Sequence, residues 1–172
     1  MLSGLLSPQS GTVFYQGHNI EDRDPVLLRQ EVLLCRQATY LFEGTIEENF
    51  ENFYRYRALP APCNAEMGDF LSTCAINFNL DVNCDLMSGG ERHRIYLAIC
   101  LSLAREKGVL LLDEPTGALD DATSEKVLSN IVAYCREKEI SLVIVSHNEA
   151  LIESFADDRI HLQSTAQKKS GS

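Results

Sequence analysis

The chain has 172 residues, of which 45% are hydrophobic and 23% charged, and this is enough for one globular domain with a sizeable core. Its formal net charge of −10 argues against nucleic-acid binding, because affinity for a phosphate backbone comes mainly from clustered lysine and arginine. The cysteines are scattered without a CxxC pair, and no apolar run approaches the roughly 20 residues that span a bilayer, so we expect a soluble cytoplasmic protein.

The first elements predict the start of an α/β fold. Met1–Leu6 is typical of the end of a helix, residues 12–15 and 32–35 of short strands, and residues 25–30 of one or two helical turns. Gln37 lies just past the second strand, where ligands of parallel sheets gather. It is therefore a candidate contact residue, although an isolated glutamine in a loop is more often only solvated.

The next stretch, residues 44–85, has no clear strand and predicts a small helical insertion. Thr45 and Glu48 have the spacing of a capping box, and residues 65–78 are the best candidate for a helix.

Strands and helices alternate in the second half of the chain. Residues 89–106 predict a helix buried on more than one face, because they are apolar nearly all round between Ile95 and Ala104. Residues 109–112 and 142–145 predict buried parallel strands, with an amphipathic helix over residues 122–139 between them. This order indicates right-handed βαβ units.

The last elements are short. Residues 148–155 predict a helix and residues 159–162 a last strand. The polar residues from Thr165 to Ser172 predict a disordered tail.

Two patterns indicate nucleotide chemistry, and each has a structural alternative. Ser88, Gly89 and Gly90 open a helix whose unpaired amides favour phosphate, but Ser88 and Glu91 also form a capping box without any ligand. Adjacent carboxylates at Asp113 and Glu114 could cap the following turn, yet after an apolar strand they carry an electrostatic cost that a metal would relieve.

The sequence resembles the ATPase subunit of ATP-binding cassette transporters from Met1 to about Gln163. The motifs that match are, in family order, Gln37 followed by LFEGTIEEN, MSGGE at 87–91, VLLLDEP at 109–115, GALD at 117–120 and VSH at 145–147. The resemblance implies a P-loop-NTPase-like α/β fold, a parallel sheet flanked by helices. A small α-helical subdomain (residues 44–87) would then divide a core made of residues 1–43 and 88–163, before a disordered tail at 164–172.

The resemblance also implies ATP and Mg²⁺ as ligands and a head-to-tail dimer of two such subunits. Ser88, Gly89 and Gly90 would meet the γ-phosphate of an ATP held by the partner, with Glu91 beside them. Asp120 would lie in the loop that links the two sites.

On the chain's own nucleotide, Gln37 and Asp113 would hold Mg²⁺, mostly through water. Glu114 would polarise the attacking water, and His147 would hold the γ-phosphate.

Two features depart from the family. The signature of the family, which corresponds to MSGGE at 87–91, usually ends in Gln, whereas this chain has the negatively charged Glu91. We expect the side chain of Glu91 to turn back onto the helix cap. The sequence also contains no GxxxxGK[ST] phosphate loop, and we expect an N-terminally truncated ATPase subunit with Met1 a few residues past the missing lysine. The alternative is a regulatory half-site that lends only its signature helix to another cassette.

The main hypothesis is an ATPase subunit at the inner face of the cell membrane that drives transport by a membrane partner. That partner would dock near residues 44–85, with the aromatics Phe50, Phe53, Tyr54 and Tyr56 either as contacts or as a small core. A soluble cassette protein acting in DNA repair or on ribosomes, and a catalytically dead binding module, are the other hypotheses.

Overall fold

A three-stranded parallel sheet lies at the centre of the computed structural model, which describes residues 11–160. Its strands are β3 (Val32–Cys35), β4 (Val109–Asp113) and β5 (Ser141–Val145), in the order β3-β4-β5. Val109 pairs with both Val32 and Ser141, so the three strands start level with one another. The predicted parallel sheet is therefore confirmed, and β1 (Phe14–Tyr15) and β2 (His18–Asn19) add a small antiparallel hairpin.

Six α-helices accompany the strands in residues 11–160. They are α1 (Pro25–Glu31), α2 (Ile46–Tyr56), α3 (Asn64–Thr73), α4 (Gly89–Leu103), α5 (Asp121–Glu137) and α6 (Glu149–Glu153). The predicted capping box opens α2, because the Glu48 amide donates to the Thr45 hydroxyl (3.2 Å) and the Thr45 amide to Glu48 Oε2 (2.7 Å). Local capping thus fixes where this helix begins.

The main core lies between one face of the sheet and α4. Every residue from Ile95 to Leu101 is buried, as the all-round apolar pattern of this helix predicts. Leu33, Leu110 and Leu112 contribute the sheet side of the cluster. A smaller cluster on the opposite face joins Val32 and Leu111 to α1 and the hairpin.

α3 and α4 end earlier than predicted. The helix predicted over 65–78 ends at Thr73, because Ala75 adopts a left-handed φ of 55° that lets Ile76 turn back into the core. The helix predicted over 89–106 ends at Leu103, and Ala104 is extended. Gly108 explains the turn that follows, since a Cβ there would lie 2.6 Å from the carbonyl oxygen of Glu31.

The predicted burial of the last sheet strand is only half correct. Leu142 and Ile144 pack on the main core, but Val143 and Val145 are 42% and 53% exposed on the other face. The strand predicted at 159–162 is absent at residues 159–160, and its remainder, like Met1–Leu6 and the predicted tail, lies outside the described residues. The division of the chain at residues 43, 87 and 163 stays a prediction.

Candidate functional site

The carboxyl edge of the sheet gathers the polar residues that follow the three strands. β3, β4 and β5 are parallel and end at Cys35, Asp113 and Val145, so Gln37, Glu114 and His147 follow at the same edge. The structure brings two of them into contact, since His147 Nε2 lies 3.4 Å from Glu114 Oε1. Gln37 is exposed in the loop after β3.

Glu114 is held in an unusual conformation. Its φ of 50° lies in the left-handed region, which costs a non-glycine residue on the order of 1–3 kcal/mol and is concentrated at functional sites. Its amide donates to the Val145 carbonyl (2.8 Å), which ties the end of β4 to the end of β5. Within residues 11–160, its buried Oε1 accepts no hydrogen bond. A carboxylate oxygen without a donor is poised to accept one from a ligand or a water.

The start of α4 forms the capping box that was offered as the structural alternative for Ser88. The Glu91 amide donates to Ser88 Oγ (3.3 Å), while the amide and hydroxyl of Ser88 both donate to Glu91 Oε2 (2.8 and 2.7 Å). These bonds hold the pKa of Glu91 below its usual range, and the bond from the Ser88 hydroxyl has the largest effect. The expectation that Glu91 turns back onto the cap is confirmed, and the amides of Gly89 and Gly90 have no partner within the helix.

The second glycine has a packing reason as well. A Cβ on Gly90 would lie 3.0 Å from the carbonyl oxygen of Ala118, whereas one on Gly89 would meet nothing within 4 Å. The first turn of α4 therefore rests against the loop after β4. Asp120, at the end of that loop, caps α5 by accepting the amide and hydroxyl of Thr123 (2.9 and 2.7 Å), which lowers its pKa.

Two buried polar residues that sequence reasoning missed organise the loops around this edge. His93, 3% exposed, bonds Thr39 Oγ1 through Nδ1 (2.8 Å) and the Pro115 carbonyl through Nε2 (2.9 Å). Asn49 is fully buried and bonds the backbone of Phe42. The only signal in the sequence was a polar residue placed on a buried helical face.

The oxygen atoms at this edge suit Mg²⁺, which prefers hard oxygen ligands and keeps several waters. Asp113 is half-buried at the end of β4, and Gln37 is exposed in the loop after β3, at the same edge of the sheet. Residues 11–160 contain no group of three or more His, Cys, Asp or Glu placed to hold a metal. One carboxylate (Asp113) and one amide oxygen (Gln37) at this edge fit an ion that completes its shell with water and phosphate.

A family profile described as "ABC transporter" matches residues 1–117. Over 164 residues the chain is 35% identical to a probable iron export ATP-binding protein, FetA, of Escherichia coli, covering 95% of this chain and 71% of that protein. It is also 35% identical to ABC transporter I family member 17 of Arabidopsis thaliana, covering 91% of this chain and 59% of that protein.

Among solved structures, a dimeric bacterial ABC transporter cassette superposes with a TM-score of 0.73 at 22% identity, over 88% of this chain and 68% of that one. This likeness shows the fold. In the described part of the chain, no helix has the length and apolar character needed to cross a membrane. The family profile and the similar ATP-binding proteins show that the chain belongs to the ABC transporter family, among its ATP-binding cassette ATPases.

Proposed function

We propose that the chain serves a composite ATP site at a head-to-tail dimer interface and thereby drives transport by a membrane partner. The observation that carries the proposal is Glu114, whose buried Oε1 has no hydrogen-bond donor in the described part of the chain and lies 3.4 Å from His147 Nε2 at the carboxyl edge of the sheet. Glu114 would accept a proton from the attacking water, and His147, 97% exposed, would contact the γ-phosphate.

Asp113 and Gln37 would hold Mg²⁺ through water on the same side. The ion would supply positive charge against the phosphate oxygens, which is its general role in phosphoryl transfer. Asp113 ends β4 and Gln37 lies two residues past the end of β3, and the two strands are neighbours in register, with Cys35 opposite Leu112.

The signature turn would serve the partner's nucleotide. The amides of Gly89 and Gly90 point out of a helix N-terminus, which favours an anion. The Glu91 carboxylate accepts two hydrogen bonds from Ser88, so it serves the helix cap while its negative charge stays close to that anion. Asp120 is engaged in capping α5, so its contribution would be to fix the loop between the sites.

The test is steady-state ATP hydrolysis by the full chain with Mg²⁺, compared with Glu114→Gln and with Glu125→Gln as a matched control on the exposed side of α5. Loss of a general base typically lowers the rate by about 10²- to 10⁴-fold, so Glu114→Gln should lose activity while Glu125→Gln keeps it. Equal and measurable rates of hydrolysis in all three proteins would refute the assignment of Glu114.

A second candidate function is a regulatory half-site, in which the turn at Ser88–Gly90, whose glycine amides have no partner within the helix, would serve a cassette that carries a GxxxxGK[ST] loop. In that case the chain alone binds no ATP at micromolar concentration but stimulates a cassette that has the loop. Titrating the chain into such a cassette separates the two, because stimulation should disappear in Gly89→Asp, which blocks the phosphate-facing amides. Tight Mg-ATP binding by the chain alone would exclude the half-site.

For the membrane partner we propose docking on an aromatic group made of Tyr40, Phe42, Phe53 and Tyr56. Tyr40 and Tyr56 are 59% and 74% exposed, and Tyr56 stacks on Phe42 at 5.5 Å. Exposed aromatics are typical of interfaces, whereas the other two aromatics considered for this role, Phe50 and Tyr54, belong to the core.

The measurement is co-purification with a multi-spanning membrane protein encoded beside this chain. Tyr56→Ser should weaken it, while Phe14→Ser, at a residue 66% exposed on the hairpin, should leave it unchanged. Equal retention in both variants would remove the aromatic group from the interface.

A further inference from the structure

His93 is a buried polar residue on α4, just before the apolar part of that helix. It is 3% exposed on the second turn of α4, and the residues from Ile95 onward on the same helix are apolar and buried. Burial of a ring with two polar nitrogens is costly unless both are paired, and here both are. Their partners come from two different loops, Thr39 after β3 and Pro115 after β4.

The partners fix the protonation of the ring. A carbonyl oxygen only accepts, so Nε2 carries the proton and donates to Pro115. Burial lowers the pKa of His93, against a smaller opposing effect of the Pro115 carbonyl, and the ring is neutral at pH 7. Nδ1 then carries no proton and accepts a hydrogen bond from the hydroxyl of Thr39 at 2.8 Å.

We propose that His93 is a positioning residue that fastens the loops carrying Gln37 and Glu114 to the helix that begins at Ser88. Thr39 lies two residues after Gln37, and Pro115 follows Glu114 directly. This inference rests on the proposed function only in the roles given to those residues, and the contacts themselves stand without it.

A second contact strengthens the link on one side. The backbone of Gly90 already lies against the Ala118 carbonyl, where a Cβ would come within 3.0 Å. The loop after β4 therefore meets α4 at two points, one turn apart. On the other side, the bond between Thr39 Oγ1 and His93 Nδ1 joins the loop after β3 to α4. A shift of either loop would therefore break or strain a hydrogen bond to the His93 ring.

Hydrogen exchange of the full chain, read amide by amide, tests the proposal. The Phe42 amide reports on the first loop, because it donates to Asn49, and the Leu119 amide reports on the second, because it donates to the Thr116 carbonyl. In His93→Leu, which fills the space without polar atoms, both should exchange about 10-fold faster or more, while amides in the middle of α5 keep their rates.

His93→Gln should restore slow exchange at both amides, because its side chain can donate to Pro115 and accept from Thr39. A residue that only fills space would behave in the opposite way, with leucine tolerated and glutamine not. Slow exchange in His93→Leu, or a failure of glutamine to restore it, would overturn the proposal.

Two further measurements cover a variant that does not fold. In Thr39→Val, which removes only the hydroxyl, the Phe42 amide should exchange faster and the Leu119 amide should not. In the wild type, the ¹⁵N spectrum of the histidine ring should show a protonated Nε2 and a bare Nδ1, and the other tautomer would overturn the proposal. If the proposed function failed, the wild type would neither bind nor hydrolyse ATP, and these results would be unaffected.

Discussion

Asn49→Ala should destabilise the chain more than its small change in volume suggests. The side chain is fully buried at the start of α2, where Oδ1 accepts the Phe42 amide (2.8 Å). Nδ2 donates to the carbonyls of Phe42 (3.1 Å) and Thr45 (2.9 Å), with Cys84 Sγ a weaker partner at 3.6 Å. The residue thus holds the loop after β3 against the helical region.

The three bonds to backbone set the magnitude. Each contributes about 0.5–1.5 kcal/mol, and leaving a buried partner unpaired costs about 1–3 kcal/mol. The Thr45 carbonyl keeps its bond from the Asn49 amide (3.1 Å), so the unpaired groups are the amide and carbonyl of Phe42. We therefore expect a loss of about 2–4 kcal/mol in the free energy of unfolding, which is a large part of the stability of a small domain.

The assay is urea unfolding followed by circular dichroism of the helices. Asn52→Ala is the matched control one turn along α2, because its side chain only accepts from Arg55 near the surface and its loss should cost about 0.5 kcal/mol or less. The reasoning is refuted if the two variants are equally stable, or if Asn49→Ala lies within about 0.5 kcal/mol of the wild type.

Three further predictions concern α4. Glu91→Gln keeps an oxygen for Ser88 but removes a negative charge beside the amides that we propose to bind phosphate, so nucleotide-dependent dimer formation with a second cassette should tighten; light scattering that shows no change would contradict this. Gly90→Ala should be about 1 kcal/mol less stable in urea than Gly89→Ala, because only its Cβ would crowd Ala118; equal stabilities would refute the contact. The lowered pKa of His93 means that its contribution to stability is complete above the ordinary value of 6.5 and is lost as the pH falls through the lower folded value. Unfolding free energies measured from about pH 8 to about pH 5 should therefore fall more in the wild type than in His93→Gln, and parallel curves would contradict the shift.

Local patterns were enough to predict much of the fold. The capping residues Thr45 and Ser88 mark the starts of α2 and α4 correctly, because a cap is satisfied by a residue three positions away. The run Val109–Leu112 identified the central strand, since a strand covered on both faces is apolar throughout. The order of strands and helices then placed Glu114 and His147 beyond strand ends, while Asp113 proved to be the last residue of β4.

Contacts between distant residues were beyond the reach of the sequence. The ends of α3 and α4 were misplaced because Ile76 and Gly108 turn toward partners elsewhere in the chain, and no local periodicity records that. Similarly, Thr39 and His93 are 54 positions apart. No local pattern links two residues so far apart in sequence, and only the folded chain shows which atoms meet His93.

The geometry of the capping box also changes which part of the signature turn would recognise phosphate. Ser88 donates its hydroxyl to Glu91, so both side chains of the motif are already engaged with each other. The amides of Gly89 and Gly90 are the donors left over, and they need no rearrangement because the helix has already aligned them. We infer that phosphate recognition at this turn depends on the glycine backbone, with Ser88 and Glu91 holding the helix start in place. A bulky residue at Gly89 should then abolish recognition without unfolding α4, whereas Ser88→Ala should mainly loosen the cap.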